Sequence, residues 1–415
     1  MNLAPTEEQT ALADRLHTLG ATALGADIET REGTQQLQSG DWQRCAQAGV
    51  LGLPVPQEYG GLGLDALTCA IALEGLGGGC RDNGLMIAVG AHIWAVEMPL
   101  VAFGSAEQKQ RYLPALCDGS KTGAHAITEA QAGSDALSLT ATARREGDHY
   151  VLDGVKRFVT NAPIADVFLV YATVNPALGF TGVTAFLVER GQEGVTVESR
   201  YEKTGLRTAP WGEITLSGCR VPVSARLGAE KQGSRILGFT MGWERALILA
   251  PLLGTMRRQI DDCVRFARER AQFGRGIGRF QSVANRIVEM QIRLDEARLL
   301  THRAAWDLVQ GAPSYFAEAA QLRTSESAVE TFLDAMQVYG GLGYTTETDV
   351  ERNLRDALGT RISSGTSDMQ RLVMAEKLGL TSRAPIRTPS RADDGAGRRV
   401  PSPPATAGGL RAHAR

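Results

Sequence analysis

The sequence predicts an α+β fold in which a block of strands separates two helical blocks. Residues 1–120 show helical patterning, residues 121–228 contain short strand-forming runs, and residues 229–380 return to apolar residues spaced three and four apart. At 415 residues the chain is long enough for two or three domains. We therefore expect an N-terminal helical domain, a small central β-barrel or sandwich and a C-terminal helical bundle.

The N-terminal block begins with a helix signal. Thr6 precedes two acidic residues, and a hydroxyl can cap a first turn while carboxylates favour the positive end of the helix dipole. A mostly apolar stretch from Ala66 to Leu76 predicts a buried helix. Three glycines at 77–79 follow it and predict its end.

The central block carries the strand signals. Asp153-Gly154 lies among strand-forming residues of the segment 149–160, which predicts a β-hairpin with its turn at that pair. Further strands are expected where β-branched and aromatic residues cluster, at 167–171, 183–188 and 213–216. Strands at this spacing, with no helices between them, favour a barrel or sandwich.

The C-terminal block is predicted to be helical up to residue 380. Residues 261–270 and 288–309 have apolar residues at helical spacing, and Pro251 should kink the helix before them. Residues 381–415 are rich in Pro, Ala, Gly and Ser, with seven Arg against two Asp. Such a segment buries too little apolar surface to offset its ordering entropy, so we expect a disordered tail; a weak contact with an anion is the alternative.

The composition disfavours several classes of protein. A formal net charge of −2 gives no general attraction to nucleic acid or an anionic membrane. No uninterrupted apolar run reaches the roughly 18 residues of a spanning helix, and the first residues show no signal-peptide pattern, so a cytoplasmic protein is expected. Six cysteines without a CxxC pair predict reduced thiols, and the histidines show no metal-ligand spacing, so no metal site is expected.

Seven segments resemble, in order, the motifs of the acyl-CoA dehydrogenase family. Residues 128–135 are similar to its TEPxAGSD motif, and residues 158–161 to WITN with Phe in place of Trp. Residues 270–274 resemble R-x-x-F-G, and residues 337–344 resemble QxxGGxGY. The other three segments are 103–114, 205–207 and 219–222. The resemblance spans about residues 3–380 and implies that family's fold, with a four-helix bundle as the C-terminal domain.

The resemblance implies an FAD-dependent enzyme that acts on an acyl thioester. In the family a base removes the α-proton while the β-hydride passes to flavin N5, so the cofactor supplies the redox chemistry and the protein binds and orients it. The family is typically a homotetramer, and at least a dimer is expected here. An electron-transferring flavoprotein is the expected electron acceptor.

Two sets of residues are implied to hold FAD. The first meets the edge of the isoalloxazine ring, where a hydroxyl can donate and accept, and consists of Ile127, Thr128, Phe158 and Thr160. The second meets the dinucleotide, where a guanidinium can bind phosphate bidentately, and consists of Arg270, Phe273, Gln281, Gln337, Gly341, Thr366 and Asp368. Arg270 and Phe273 are expected to act across a subunit boundary, and the family usually has Gln or Glu in place of Asp368.

The catalytic base is where the chain departs from the commonest family pattern. Ser364 stands where many members have the glutamate that removes the α-proton. Some members place that glutamate on an earlier helix, in a Glu-Arg pair that Glu244-Arg245 matches. Apolar neighbours of Glu244 predict a desolvated carboxylate with its pKa raised towards the range of a general base. The alternative from the residues alone is that Glu244 pairs with Arg245 or caps the helix at the surface.

The resemblance also implies contacts with the substrate. The backbone N–H of Ser364 is expected to polarise the thioester carbonyl, as preorganised donors do, and Ser134 to contact the pantetheine arm. Arg245 is expected to line the substrate site. The small side chains of Ser363 and Ser364 leave volume for a branched or cyclic acyl group.

The expected function is α,β-dehydrogenation of a short or branched acyl-CoA, with Glu244 as the base. One alternative is the same oxidation of an acyl or aminoacyl group on a carrier protein, as in prolyl-carrier-protein dehydrogenases. Another is a flavin-dependent oxidase or monooxygenase on the same fold. A flavin-free binding protein is a third, which the mostly intact cofactor motifs disfavour.

Overall fold

The computed structural model describes residues 4–198, 201–311 and 314–380, and the predicted disordered tail, 381–415, lies outside them. As the sequence indicates, Thr6 caps the first helix, and its hydroxyl accepts a hydrogen bond from the N–H of Gln9. A π-helical turn, Ile93–Glu97, joins the fifth helix to the sixth. The described helices before residue 120 are α1 (Glu7–Ala23), α2 (Ile28–Thr34), α3 (Ser39–Gln47), α4 (Ala66–Gly79), α5 (Asn83–His92), α6 (Met98–Phe103) and α7 (Ala106–Cys117).

The glycines at 77–79 do not interrupt α4, so this part of the sequence prediction is wrong. The helix includes all three and ends at Gly79. A Cβ at Gly77 would lie 2.0 Å from the carbonyl oxygen of Pro251, and a Cβ at Gly79 would lie 2.0 Å from that of His17. The glycines therefore let the backbones of two other helices approach α4 closely, which explains the run.

The central part is a sheet. Its strands hydrogen-bond in the order β6-β7-β3-β2-β4-β5-β8, and β1 runs parallel to β4. A single residue pair, Thr142 and Thr173, joins β2 to β4, so the sheet divides into two halves there. The strands expected at 167–171, 183–188 and 213–216 lie within β4, β5 and β7. The bounds are β1 (Gly123–Ala126), β2 (Thr142–Glu146), β3 (His149–Thr160), β4 (Val167–Thr173), β5 (Val183–Glu189), β6 (Val195–Glu198), β7 (Trp211–Pro222) and β8 (Arg226–Leu227).

The hairpin predicted at Asp153-Gly154 is wrong, because β3 continues through the pair. β3 pairs with β2 and with β7, and its register against β7 shifts between Leu152 and Gly154. Gly154 has a φ of +151°, and a Cβ there would lie 2.5 Å from the Cβ of Ala141. The glycine therefore serves a β-bulge within one long strand.

The C-terminal part is helical, as predicted. Pro251 lies in the first turn of α9, where its missing N–H costs no helical bond, so it marks the boundary between two helices instead of a kink within one. The long helices α9, α10 and α11 pack against one another, and α12 and α13 pack against α11. The bounds are α8 (Gly233–Leu247), α9 (Ala250–Glu269), β9 (Ala271–Gln272), β10 (Arg275–Gly276), α10 (Gln281–Gln310), α11 (Phe316–Tyr339), α12 (Val350–Thr360) and α13 (Ser367–Lys377).

The longest apolar helices belong to the core. Two helical stretches, 83–103 and 233–269, are long and apolar enough to cross a membrane by length and composition alone. In their apolar windows, 83% and 67% of the residues are buried within the fold, as in the core helices of a globular protein. The six cysteines are buried and free, as the sequence predicts.

Candidate active site

Glu244 lies on α8, with its side chain turned into the protein. The residue is 8% exposed, and α8 packs against α11 and the π-helical turn. Ser364 Oγ donates a hydrogen bond to Glu244 Oε1 over 2.5 Å. Glu244 Oε2 is buried and has no hydrogen-bond partner among the described residues. One carboxylate oxygen is therefore held in place while the other is available to take a proton.

The surroundings raise the pKa of Glu244. Burial is the largest cause, because a carboxylate removed from water loses stabilisation of its charged form. The hydrogen bond from Ser364 and the charge of Arg245 lower the pKa without cancelling the effect of burial. A general base works best when its pKa approaches the working pH, so this carboxylate is better suited to proton removal than an exposed glutamate.

Ser364 lies in the loop between α12 and α13, and its backbone is held from two sides. Its φ of +55° is unusual for a residue with a side chain. Its carbonyl accepts hydrogen bonds from Arg245 Nε at 3.1 Å and from Gln370 Nε2 at 3.0 Å. In the described part of the chain, its N–H has no partner. The loop thus presents one free backbone donor beside the carboxylate of Glu244.

Arg245 pairs with a residue that the sequence did not indicate. Its Nη1 lies 3.1 Å from Glu318 Oε1, and Lys377 Nζ lies 2.7 Å from Glu318 Oε2. Glu318 is on α11, 73 residues along the chain from Arg245. The surface ion pair between Glu244 and Arg245, considered from the sequence, is therefore not formed. Arg245 instead links the Ser364 loop to α11.

The four residues expected at the flavin ring lie together at the ends of two strands. Ile127 and Thr128 follow β1, and Phe158 and Thr160 end β3; the N–H of Arg157 donates to the carbonyl of Thr128 over 2.8 Å. Phe158 has a φ of +55° and is 50% exposed. The hydroxyls of Thr128 and Thr160 have no hydrogen-bond partner within the described ranges. Two unused hydroxyls and an exposed aromatic ring therefore share one surface.

A buried ion pair supports this surface, and sequence reasoning missed it. Lys156 Nζ lies 2.7 Å from Glu129 Oε1 and donates to the carbonyl of Ile127 over 3.2 Å. Glu129 Oε2 accepts from both the N–H and the hydroxyl of Thr140 at 2.6 Å. The signal was the placement of a lysine at an inward-facing position of a strand. Nearby His125 packs edge-on against a tyrosine, and burial lowers the pKa of His125 to about 4, so its ring is neutral.

The residues expected at the dinucleotide lie on the surface of the helical part. Arg270 directly follows α9, Phe273 lies in the β9–β10 turn and Gln281 begins α10. Phe273 is 93% exposed, with φ of +51°. Gln337 lies in the last turn of α11, and Gly341 lies in the turn that follows it. Both are next to the end of α9, because Phe266 on α9 and Tyr339 on α11 stack with their ring centres 4.3 Å apart.

Three further expected contacts have different surroundings. The hydroxyl of Thr366 caps α13 and accepts from the N–H of Met369 over 3.2 Å, so it is already engaged. Asp368 projects into solvent and lies 3.5 Å from Arg371. Ser134 is exposed on the loop after β1, where Leu137 packs against the cluster that includes Met241 of α8. Ser134 is thus three residues from Leu137, which packs against the same apolar cluster as Met241 of α8.

These surfaces fit a flavin dinucleotide. The ring end offers hydroxyls able to donate and accept, and the other end offers an exposed guanidinium and an exposed aromatic ring, the groups that suit phosphate and an adenine. Among the described residues, no group of three or more His, Cys, Asp or Glu side chains could hold a metal ion.

Three family models match the chain in sequence order. They describe the N-terminal domain of acyl-CoA dehydrogenases at residues 6–120, the middle domain at 124–219 and the C-terminal domain at 231–379. Together they cover nearly all of the described residues, so the similarity extends over both helical parts and the sheet.

Individual relatives and solved structures are similar over most of their length. The chain is 46% identical to the L-prolyl-[peptidyl-carrier protein] dehydrogenase of Pseudomonas fluorescens, over 82% of this chain and 90% of the relative. It is 35% identical to the short-chain specific acyl-CoA dehydrogenase of Clostridium acetobutylicum, over 86% and 93%. The prolyl acyl carrier protein oxidase AnaB has a TM-score of 0.90 at 44% identity, covering 91% of this chain and 100% of AnaB. PigA, in a structure with FAD and proline, has a TM-score of 0.89 at 39% identity, covering 92% and 100%.

Proposed function

The chain belongs to the acyl-CoA dehydrogenase family and is a flavoprotein oxidoreductase with FAD as its cofactor, and from this premise we propose that it oxidises a prolyl group held as a thioester on a carrier protein. Glu244 is the base in this proposal. The observation that supports Glu244 as the base is its buried carboxylate, with one oxygen held by Ser364 and the other without a hydrogen-bond partner among the described residues. The proposed substrate is therefore the carrier-protein thioester, which the sequence leaves open as the alternative to a short or branched acyl-CoA.

Glu244 and Ser364 have separate roles in the proposed reaction. Glu244 Oε2 takes the α-proton, and the electron pair of that C–H bond forms the double bond between the α- and β-carbons as the β-hydrogen leaves with its own electron pair. When bound, FAD supplies the acceptor for that hydride at its N5 atom. The Ser364 N–H donates to the thioester oxygen, where negative charge develops, and such a preorganised donor is worth about 3 kcal/mol in the transition state.

Two features support a prolyl carrier-protein substrate. The relatives just described include a dehydrogenase and an oxidase named for prolyl groups on carrier proteins, at 46% and 44% identity. The side chains at Ser363 and Ser364 are small, which leaves room for a compact ring beside the base. Coenzyme A carries the same pantetheine arm, so an acyl-CoA is the competing substrate.

The electrons leave FAD for a second acceptor in this proposal. An electron-transferring flavoprotein is the acceptor we favour, and dioxygen is the alternative because AnaB is named as an oxidase. Hydrogen peroxide formed in proportion to the oxidised substrate would identify dioxygen as the acceptor. The cytosol is the compartment we propose, since a carrier protein and a reduced cysteine set belong there.

A second copy of the chain completes the cofactor site in this proposal. Arg270 and Phe273 are exposed at the end of α9 and in the following turn, where they can reach a neighbouring protomer. The apolar side chains that α10 leaves exposed mark the surface that another copy would cover, as in a homotetramer. They are Val288, Ile292, Leu299, Trp306 and Val309.

The test is anaerobic flavin reduction by purified, FAD-loaded enzyme. We expect prolyl-carrier-protein thioester to bleach the flavin in the wild type, and Glu244→Gln to slow bleaching by about 10²- to 10⁴-fold, the usual contribution of a general base. The amide is nearly isosteric with the carboxylate but cannot take the proton. FAD content, measured by absorbance after desalting, should be unchanged.

The control is Glu8→Gln, which makes the same chemical change at an exposed residue of α1 and should leave the rate unchanged. Bleaching by Glu244→Gln at the wild-type rate would contradict the assignment of the base. Bleaching of the wild type by prolyl-CoA but not by the carrier-protein thioester would return the substrate to the acyl-CoA class.

A further inference from the structure

A tryptophan lies directly across the sheet from one of the residues expected at the flavin ring. Trp211 is the first residue of β7, and its partner in the register with β3 is Thr160, the last residue of that strand. Side chains of residues paired across two antiparallel strands lie on the same face of the sheet. The indole of Trp211 and the unused hydroxyl of Thr160 therefore share one face, at the edge of the sheet where β3 ends.

Trp211 also packs beside the exposed aromatic ring at this edge. Its ring centre is 6.2 Å from that of Phe158 and the two ring planes are 61° apart, which is an edge-on contact. Tyr201 packs against the same ring, with ring centres 4.7 Å apart. Phe158 stands where the WITN motif has tryptophan, so the indole that is missing at 158 is present on the neighbouring strand.

The indole N–H of Trp211 is a buried donor without an acceptor. Its Nε1 has no hydrogen-bond partner among the described residues, a state that is costly in a folded protein. The indole nitrogens of Trp42 and Trp94 also lack a partner there, but both of those side chains are buried in the core of the helical parts. Of the three, Trp211 alone is partly exposed. Its N–H is therefore placed where a bound molecule can supply the acceptor.

The charged groups around Trp211 are engaged with other partners. Lys203 Nζ lies over the indole, 5.8 Å from the ring centre, and donates to the carbonyl of Arg207 over 2.9 Å. Glu213, two residues along β7, pairs with Arg157 Nε at 3.0 Å. A cation above the face of an indole attracts the ring, so Lys203 helps to hold the indole in place. The ring is thus fixed while its N–H stays without a partner.

An isoalloxazine ring has the acceptors that such a donor needs. Its ring nitrogens and carbonyl oxygens accept hydrogen bonds, and hydrogen bonds to these atoms tune the electronics of the ring. Reduction adds electron density to the ring, and a hydrogen-bond donor favours the more negative of two states. A donor held at the ring edge therefore makes the flavin easier to reduce.

We propose that Trp211 is a further contact of the flavin ring and that its Nε1–H donates a hydrogen bond to the isoalloxazine. This rests on the part of the proposed function that places the ring beside Thr128 and Thr160, and it does not depend on which acyl group is oxidised. Trp211 raises the reduction potential of the flavin, and so its readiness to take a hydride, without touching the substrate.

The first test measures the flavin reduction potential of FAD-loaded enzyme against a reference dye, without oxygen and without substrate. Trp211→Phe keeps an aromatic ring and removes the donor. We expect the reduced flavin to become about tenfold less favoured, a shift of about 30 mV to more negative potential for a two-electron couple. The control is Tyr201→Phe, which removes a hydroxyl from the other ring that packs on Phe158. That hydroxyl faces Glu213 Oε2 at 3.5 Å, so the potential should match the wild type.

The second test uses the wild-type protein, so it does not depend on how a variant folds. Infrared difference spectra between oxidised and reduced enzyme are recorded with ordinary tryptophan and with tryptophan labelled with ¹⁵N in the indole. We expect an indole N–H band that changes with the oxidation state of the flavin, moves with the label and is missing in Trp211→Phe. Circular dichroism and FAD content establish that each variant is folded and loaded.

Three results would overturn the role of Trp211. They are a wild-type potential in loaded Trp211→Phe, an equal shift in Tyr201→Phe, which would assign the effect to aromatic packing, and the absence of the indole band in the wild type. Both measurements are made without substrate, so they are independent of the thioester. An enzyme that shows the band and the shift but is reduced by no thioester would keep the Trp211 contact and lose the proposed function. Reduction by a thioester without the band and the shift would do the reverse.

Discussion

The two ends of the proposed flavin site are built in different ways. At the ring end the chain supplies buried, mutually held groups: Ser364 fixes Glu244 at 2.5 Å, and Lys156 pairs with Glu129 at 2.7 Å. At the dinucleotide end Phe273 stands 93% exposed. In the proposed function, one protomer preorganises the groups at the ring end, and a second protomer is proposed to complete the surface at the dinucleotide end.

The largest expected effect is a loss of stability when the buried ion pair at the ring end is removed. Replacing Lys156 by Met leaves Glu129 buried without its cation, and removal of one partner of a buried pair costs about 3–5 kcal/mol. We therefore expect the free energy of unfolding in urea to fall by that amount. Arg144→Gln removes a partner of Glu146 on the exposed side of the same sheet and should cost less than about 1 kcal/mol. Equal losses in the two variants would show that the buried pair has no special structural role.

The next effect concerns the dinucleotide end. Arg270→Gln removes a guanidinium that we propose to bind the FAD pyrophosphate, and loss of a charge-assisted hydrogen bond of about 1.5–3 kcal/mol corresponds to roughly 10- to 100-fold weaker binding. FAD fluorescence on dilution reports the release. Arg268→Gln, two residues earlier and also exposed, is the matched control. If the weakening is the same for both variants, a general loss of positive charge explains it.

A smaller effect is expected on the pH profile when the hydroxyl of Ser364 is removed. Its hydrogen bond lowers the pKa of Glu244 against the raising effect of burial, so Ser364→Ala should raise that pKa further. Because the base acts in its deprotonated form, the rate of flavin reduction should rise with pH through this pKa and the profile should move to higher pH. At neutral pH we expect about a 3- to 10-fold loss, recovered at higher pH. In Ser363→Ala, whose hydroxyl bonds the carbonyl of Thr360 instead, the profile should stay in place.

Local patterns in the sequence predicted much of the fold, and they failed where tertiary packing decides. Helical spacing correctly located the two helical parts, and β-branched runs located β4, β5 and β7. Asp153-Gly154 has the chemistry of a turn, yet β3 pairs with strands on both sides and continues through these residues, with the glycine at a β-bulge. The glycines at 77–79 suit a helix end, yet close packing of neighbouring backbones accounts for them.

The sequence predicted individual residues of the candidate site, but not the contacts between them. Glu244 could be proposed from its apolar neighbours and the family resemblance, and its burial agrees with that prediction. Its hydrogen bond to Ser364 spans 120 residues of sequence, and the contact of Arg245 with Glu318 spans 73. No local spacing encodes such pairs, because they depend on how α8, α11 and the loop before α13 come together.

The most direct test of Glu244 as the base is exchange of the substrate's α-proton. A prolyl-type thioester with sulfur in place of the β-carbon cannot lose a hydride, so any exchange into D₂O, followed by NMR with FAD-loaded enzyme, reports proton removal alone. We expect the wild type to exchange the proton and Glu244→Gln to bind the analogue with exchange slowed by at least about 100-fold. Exchange at the wild-type rate in Glu244→Gln, with the analogue bound, would contradict the assignment of Glu244 as the base.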